Sequence, residues 1–272
     1  MKKKDNYLIF AHYHSSGLLR KDILKFLKIG KIFFKKIIFV STKINRNQKI
    51  KDSKNIKLIN RENIGYDFYS YKTGLNFLKK EFKDDFKNKN IFFINSSILH
   101  TNPKKFFNVL KKIKIKDNEL WGLSKSYELA EHIQTYFFFL SANLLYKKEI
   151  YNWWSKMKPL KKRQQIIDHY ELGLSDLMKK NQIKLRSVFK KNINLKTNSF
   201  FKKIKQRFKE IFFKEPKYYK KNPTNYFWRH FYNHYGIVKI ELIKNNYKKL
   251  NIKKLIILLK KKHNLYLEAI NN

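Results

Sequence analysis

A polar loop at 60–68 holds the densest group of side chains in this sequence that could bind a ligand. Four polar residues surround one glycine there: Arg61, Glu62, Asn63, Gly65 and Asp67. The glycine can adopt the positive φ of a sharp turn. A helical pattern follows the loop, so a carboxylate in the first helical turn would also suit the helix dipole. The alternative is a purely structural capping turn, with Asn63 as the helix cap.

A second polar group, Asn95-Ser96-Ser97, follows the next apolar run. Many nucleotide-sugar transferases with a single α/β domain hold a divalent cation at this place through an Asp-x-Asp pair, because Mg²⁺ and Mn²⁺ prefer oxygen ligands. This chain has no Asp-x-Asp. If a diphosphate leaves here, basic side chains, helix N–H groups or a weakly held Mg²⁺ or Mn²⁺ must meet its charge. Arg61 and Lys72 are the nearest basic candidates, and an ordinary polar loop is the alternative.

His132 and Gln134 directly precede another apolar run, Thr135 to Leu140. They would share one face if the strand begins that early. Such a pair could form hydrogen bonds with sugar hydroxyls. An edge or capping role is equally compatible with the pattern.

Two carboxylates lie on one face of the predicted helix 163–180, in a chain with only 20 acidic residues. Asp168, Glu171 and Ser175 have the i, i+3 and i+7 spacing that places residues on one helical face. Either carboxylate could accept the proton of an acceptor hydroxyl, as inverting sugar transfer requires. A solvated face that pairs with lysines is the alternative.

The net charge of +43 would normally indicate a polyanionic partner. However, the excess is almost all lysine, and it is spread over the whole chain. Arginine, which contacts phosphate and guanine better, is scarce. Nucleic-acid binding is therefore the least favoured function considered. The absence of cysteine excludes disulfides and thiolate chemistry, and no P-loop or dinucleotide-binding glycine motif occurs.

Short apolar runs alternate with helical patterns along the first half of the chain. Runs at 7–11, 37–40, 56–59 and 91–94 predict buried strands, and helices are predicted around 18–27, over 68–82 and from Pro103. This alternation predicts an α/β fold with a parallel sheet, in which ligands gather at the carboxyl ends of the strands. We divide the chain into a binding and catalytic domain at 1–190 and a basic, mainly helical extension at 191–272.

The sequence has no apolar stretch of the roughly 18 residues that a spanning helix needs. Its first apolar run is also too short for a signal peptide. We therefore expect a cytoplasmic protein. A basic amphipathic pattern with Phe201, Ile204, Phe208 and Ile211 could contact the anionic inner face of the plasma membrane.

Several segments together resemble the family of rhamnan synthesis protein F, and their order and spacing also fit over about 60–246. They are RENIGYDFYSYKTGL at 61–75, FINSSILHTNP at 93–103, WGLSKSYELAEHIQTYFFFL at 121–140, DHYELGLSDLM at 168–178 and NPTNYFWRHFYNHYGIVKIELIKNN at 222–246. The first of these is fairly specific. The family usually reads Asn-Asp-Ser where this chain has Asn95-Ser96-Ser97, which places metal use in question.

The resemblance implies a GT-A-like, mostly parallel sheet flanked by helices, a nucleotide-sugar donor and a growing, often lipid-linked, glycan acceptor. The matching positions are Glu62, Asn63, Gly65, Asp67, Asn95, Ser97, His132, Gln134 and Glu171. We expect inverting transfer of a sugar, with rhamnose from dTDP-rhamnose as one candidate. The loop residues, Lys72, Asn95 and Ser97 would bind the donor. His132 and Gln134 would bind the acceptor, and Glu171 or Asp168 would be the base. A non-catalytic donor- or glycan-binding protein of an assembly complex is the second hypothesis.

Overall fold

A computed structural model describes residues 6–45, 50, 52–189 and 222–266, apart from the side chains of 84 and 85. The strands are β1 Asn6–His12, β2 Lys36–Ser41, β3 Ile56–Asn60, β4 Asn90–Asn95, β5 Ile98–His100, β6 Glu119–Gly122, β7 Lys125–Ser126, β8 His132–Ile133, β9 Phe137–Ser141, β10 Lys184–Ser187 and β11 Ile237–Lys239. The α-helices are α1 Lys21–Phe33, α2 Tyr66–Phe82, α3 Pro103–Leu110, α4 Lys148–Lys156, α5 Arg163–Ile166, α6 Gly173–Lys180, α7 Pro223–Tyr226, α8 Trp228–His230, α9 Ile240–Lys244 and α10 Lys253–Leu258.

Seven strands form the central sheet, in the order β10-β6-β9-β4-β1-β2-β3. All of them run in one direction except β9, which is antiparallel to both of its neighbours, β4 and β6. The predicted mostly parallel α/β sheet is thereby confirmed.

Helices cover both faces of this sheet, which explains why its strands are continuous apolar runs. Along β1, Tyr7 and Ile9 face the layer that holds α2, α4 and α6, whereas Leu8 and Phe10 face α1 and α3. Helix α2 lies very close to the sheet, since a Cβ atom on Gly74 would come within 2.5 Å of Ile9 Cγ2. The middle of α2 is therefore packed directly against the middle of β1.

The reversed direction of β9 determines which loop reaches this edge. Ile94, near the end of β4, pairs with Phe137, the first residue of β9. The Asn95 N–H donates to the Tyr136 carbonyl at 3.1 Å. As a result, the segment that enters β9 meets the end of β4.

The C-terminal part of the described chain packs onto the sheet domain. Strand β11 pairs antiparallel with β5, and a third apolar cluster around Leu255 and Leu259 forms beneath it. The predicted boundary at 190/191 stays a prediction, because residues 190–221 lie outside the described ranges. The predicted membrane-contacting pattern at 201–211 also lies there. Within the described ranges, no helix has the length and apolar character needed to cross a bilayer.

Candidate functional site

The polar loop at 61–67 connects β3 to α2 at the carboxyl edge of the sheet. Gly65 precedes the helix with φ of +69°, as predicted, and a Cβ there would lie 2.9 Å from the Pro159 Cα. Only glycine satisfies both the backbone conformation and this close approach. Asn63 is not the helix cap that the alternative interpretation predicted. Gly65 is the cap, and no side chain forms a capping hydrogen bond.

Asp67 and Asn95 meet directly across this edge. The Asn95 amide Nδ2 donates to Asp67 Oδ2 at 2.5 Å, and Asn95 Oδ1 accepts from both the backbone N–H and the hydroxyl of Ser97. The amide is thereby fixed in one orientation, with its N–H₂ group towards the carboxylate. Three predicted donor-binding residues are thus connected by hydrogen bonds.

Glu171 approaches the same edge from a π-helical turn. This turn, Ile167–Leu172, interrupts the helix between α5 and α6. The Glu171 carboxylate accepts a hydrogen bond from the Thr135 N–H at 3.1 Å and lies 4.0 Å from His132 Nε2. π-turns inside helices occur frequently at functional sites because they redirect one side chain. The π-turn places Glu171 beside His132, its predicted neighbour in the site.

The carboxyl group of Asp67 is destabilised in its charged form. Burial is the largest cause that raises its pKa to about 6, against the opposing hydrogen bond from Asn95. The charge of Glu171 raises the pKa further, while Arg61 and Arg163 lower it. The Glu171 carboxylate is thus close enough to influence the ionisation of Asp67, a common arrangement in catalytic sites.

Arg61 and Lys72, the two basic side chains predicted to bind phosphate, donate their hydrogen bonds to backbone carbonyls. Arg61 donates to the carbonyls of Glu62, Ile64 and Tyr66, and to the Ser70 hydroxyl, so it holds the loop in shape. Lys72 donates to two carbonyls at the end of α4, at 2.8 and 2.7 Å. Their donor-binding role stays a prediction. Glu62 and Asn63 are exposed at the loop surface.

Two other predicted residues do not join this cluster. Asp168 is exposed and accepts from Gln164 Nε2 at 2.9 Å. In the wider π-turn, residues three apart no longer lie above one another, so Asp168 is turned away from Glu171. Gln134 is buried, and its Oε1 accepts from the hydroxyls of Ser124 and Thr224 at 2.8 and 2.7 Å.

Ser96 stands where the resemblance implies a carboxylate. Its hydroxyl donates to the Tyr13 carbonyl and accepts from the Tyr13 N–H, both at 3.0 Å. The side chain therefore joins the end of β1 to that of β4 and does not point into the cleft as a ligand. In the described ranges, no three His, Cys, Asp or Glu side chains form a group that could hold a metal ion. The use of Mg²⁺ or Mn²⁺ stays an untested prediction.

Sequence reasoning missed two residues of this region. The Tyr71 hydroxyl donates to the Thr135 carbonyl at 3.0 Å, which ties α2 to the segment that holds Glu171. Tyr71 lies one helical turn after Asp67, and this spacing was the available signal. Arg163 acts on Asp67 only through its charge, and nothing in the sequence pattern indicated it.

The fold and this group of side chains define a mixed α/β protein with a candidate ligand site at the carboxyl edge of its sheet. The profile of the rhamnan synthesis protein F family matches residues 37–216, so the chain belongs to that family. Family membership supports a transferase-like role in polysaccharide biosynthesis. No curated protein matches the chain.

Three solved structures show a distant likeness. The cytidylyltransferase IspD of Francisella tularensis, which acts on 2-C-methyl-D-erythritol 4-phosphate, has 14% identity and a TM-score of 0.42, over 75% of this chain and 99% of that chain. The glycosyltransferase GlyE of Streptococcus pneumoniae TIGR4 has 14% identity and a TM-score of 0.34, over 76% and 50%. Its apo form has 15% identity and a TM-score of 0.30, over 66% and 44%. The chain spans about half the length of GlyE.

Proposed function

We propose that this protein is a glycosyltransferase. It transfers a hexose, with rhamnose as the first candidate, from a nucleotide-diphospho-sugar to a cell-surface polysaccharide intermediate. One observation carries the proposal: Asn95 holds Asp67 by a hydrogen bond at the carboxyl edge of the sheet, and Glu171 is near enough to raise the pKa of that carboxyl. Membership of a rhamnan synthesis family supports the same direction.

In this proposal Asp67 and Asn95 bind hydroxyls of the donor, and Ser97 lies beside the diphosphate. The acceptor hydroxyl oxygen attacks the anomeric carbon, and the bond from that carbon to the diphosphate oxygen breaks. Glu171 receives the proton of the acceptor hydroxyl, and the nucleoside diphosphate leaves with the electron pair. The Thr135 N–H holds the Glu171 carboxylate in position for this step.

The leaving diphosphate needs cationic hydrogen-bond donors. Arg61 and Lys72 already donate to backbone carbonyls. Arg163 is the better candidate, since its side chain is 69% exposed and its charge acts on Asp67. A guanidinium can bind phosphate oxygens through two parallel N–H groups. No step in this mechanism passes through Mg²⁺ or Mn²⁺, and an assay with added chelator tests whether either is required.

The decisive experiment is donor turnover by the purified chain with Glu171→Gln. We expect kcat to fall by about 10²–10⁴-fold, the usual contribution of a general base, with the fold unchanged by circular dichroism. Asp176→Asn is the matched control, because Asp176 lies on the same helix, is exposed and pairs with Lys179. Wild-type turnover in Glu171→Gln would remove Glu171 from this role.

A non-catalytic donor- or glycan-binding protein is the second candidate, and the use of the Ser96 hydroxyl as a backbone clamp favours it. Calorimetry that shows donor binding without turnover, across an acceptor panel, would establish it. Nucleic-acid binding would instead show a steep salt dependence with oligonucleotides. A cytoplasmic location, a lipid-linked acceptor and contact with anionic membrane belong to the leading proposal.

A further inference from the structure

A cavity of about 320 Å³ lies between the loop after β7 and the C-terminal helices. Its wall includes Glu128 from that loop, Asn225 from α7, Glu241 from α9 and Tyr247. This volume is in the range of small-ligand pockets. The mechanism proposed above makes no use of it.

The wall of this cavity is rich in hydrogen-bond acceptors. Asn225 Oδ1 is buried and has no hydrogen-bond partner within the described protein, a condition that normally requires explanation. Glu241 lies 3.7 Å from Arg163 and 3.9 Å from Lys239, too far for hydrogen bonds, so its oxygens can still accept. The carboxylate oxygens of Glu128 and Glu241 suit a ligand with several O–H donors.

The hydrogen-bonding groups of the wall suit hydroxyls better than phosphate. Lys248, the cation of the lining, already pairs with Glu128 at 3.2 Å. The carboxylates of Glu128 and Glu241 accept hydrogen bonds and donate none, so they can bind O–H groups and cannot bind phosphate oxygens. The ring of Tyr247, 71% exposed at the rim, offers a flat apolar face. Hydroxyls on one side and an apolar face on the other are the features of a neutral sugar.

Three contacts place this cavity beside the Asp67 cleft. The Ile240 N–H, at the start of α9, donates to the Ser97 carbonyl at 2.9 Å. Thr224 donates to Gln134 from the neighbouring helix α7. Glu241 pairs with Arg163, whose charge acts on Asp67.

We propose that this cavity binds one neutral, hydroxyl-rich sugar unit of the glycan acceptor. The inference rests on the proposed function, which requires such an acceptor close to Glu171. It also gives Gln134 a place: the side chain supports the cavity through Thr224 and does not contact the sugar at the reaction centre.

The test is binding to the full chain, measured by calorimetry. A neutral trisaccharide of rhamnose and one of glucose serve as glycan probes, and dTDP serves as the anionic probe. We expect Tyr247→Ala and Glu241→Gln each to weaken trisaccharide binding about tenfold, the size of one lost hydrogen bond or contact. The dTDP affinity of Tyr247→Ala should stay within about twofold. Tyr151→Ala, at an exposed tyrosine on α4, is the matched control.

The outcomes separate this inference from the proposed function. If donor turnover is present but both cavity variants bind trisaccharide like the wild type, the inference is overturned and the function stands. If the wild type never turns over donor but Tyr247→Ala weakens trisaccharide binding, the cavity is a glycan site on a non-catalytic protein. Failure of both trisaccharides to bind the wild type at millimolar concentration, or equal weakening of dTDP binding, also overturns it.

Discussion

Two groups of charged residues lie at the carboxyl edge of the sheet, and they treat charge in opposite ways. Arg20 and Asp22 form a fully buried ion pair at 2.9 Å, and Arg20 also donates to the carbonyls of Ser96 and Ile98. Burial alone would raise the pKa of Asp22, but Arg20 lowers it below its ordinary value. Asp67 has no cation at ion-pair distance among the described residues, and its pKa is raised instead.

This difference separates a structural use of charge from a chemical one. Arg20 donates to both Asp22 carboxylate oxygens and to two backbone carbonyls, and Asp22 also accepts from the His100 N–H, so this pair binds the protein itself. The Asp67 cleft keeps two carboxylates with unfilled hydrogen-bonding capacity, at a cost in stability. Functional sites often lower the stability of the folded state, because the groups that they need are not the ones that would stabilise the fold most.

The largest effect that tests this contrast is expected at Arg20. Arg20→Ala leaves Asp22 buried and uncompensated, and we expect the free energy of unfolding to fall by about 3–5 kcal/mol. Chemical denaturation measures this loss. Adding Asp22→Asn should recover part of the stability, because the buried charge is then removed. A loss below about 1 kcal/mol in Arg20→Ala would show that the pair is not the structural element described.

Asp67→Asn is expected to act in the opposite direction. Because the pKa of Asp67 is raised from 3.8 to about 6, ionisation disfavours the folded state. This penalty is absent below pH 4, grows between pH 4 and 6, and is complete above pH 6. Asp67→Asn should therefore stabilise the protein by about 1–3 kcal/mol at pH 8 and by little at pH 4.

Denaturation of both proteins at the two pH values measures this difference, with Asp176→Asn as the exposed control. The same variant should lose activity, since an amide cannot replace an anionic acceptor. Destabilisation at pH 8 that does not change with pH would show that Asp67 is a structural residue.

The smallest effect is expected at Ser96, which borders both groups. Ser96→Ala removes the two hydrogen bonds to Tyr13, and we expect a loss of about 1 kcal/mol. Thermal melting measures it, and Ser155→Ala, at an exposed serine, is the control. If turnover also disappears in Ser96→Ala while the fold persists, Ser96 has a role in the cleft that the clamp does not explain.

The contact between Asp67 and Asn95 could be predicted from the sequence. Asp67 and Asn95 follow separate buried strands, and the carboxyl ends of parallel strands share one edge, so their proximity could be predicted. Glu171 was also identified, but from regular helical spacing that a π-turn replaces. The same turn explains why Asp168 was grouped with it and is in fact directed elsewhere.

Other features depend on tertiary contacts that spacing does not encode. Whether Arg61 or Lys72 is available for phosphate depends on carbonyl groups from loops that only the fold brings near. Strands β5, β10 and β11 are short and were not predicted, since three or four residues give too little periodicity. Gln134 was expected to bind sugar hydroxyls, but its side chain is bound by Ser124 and by Thr224, which comes from a helix 90 residues further along.

The π-turn that holds Glu171 has an evolutionary consequence. It is equivalent to one additional residue in an otherwise regular helix. Loss of a single codon between 167 and 172 would restore ordinary helical geometry, rotate the carboxylate away from Thr135 and leave α6 and the sheet intact. A lineage could thus lose the position of this carboxylate in one genetic step, without passing through an unstable protein.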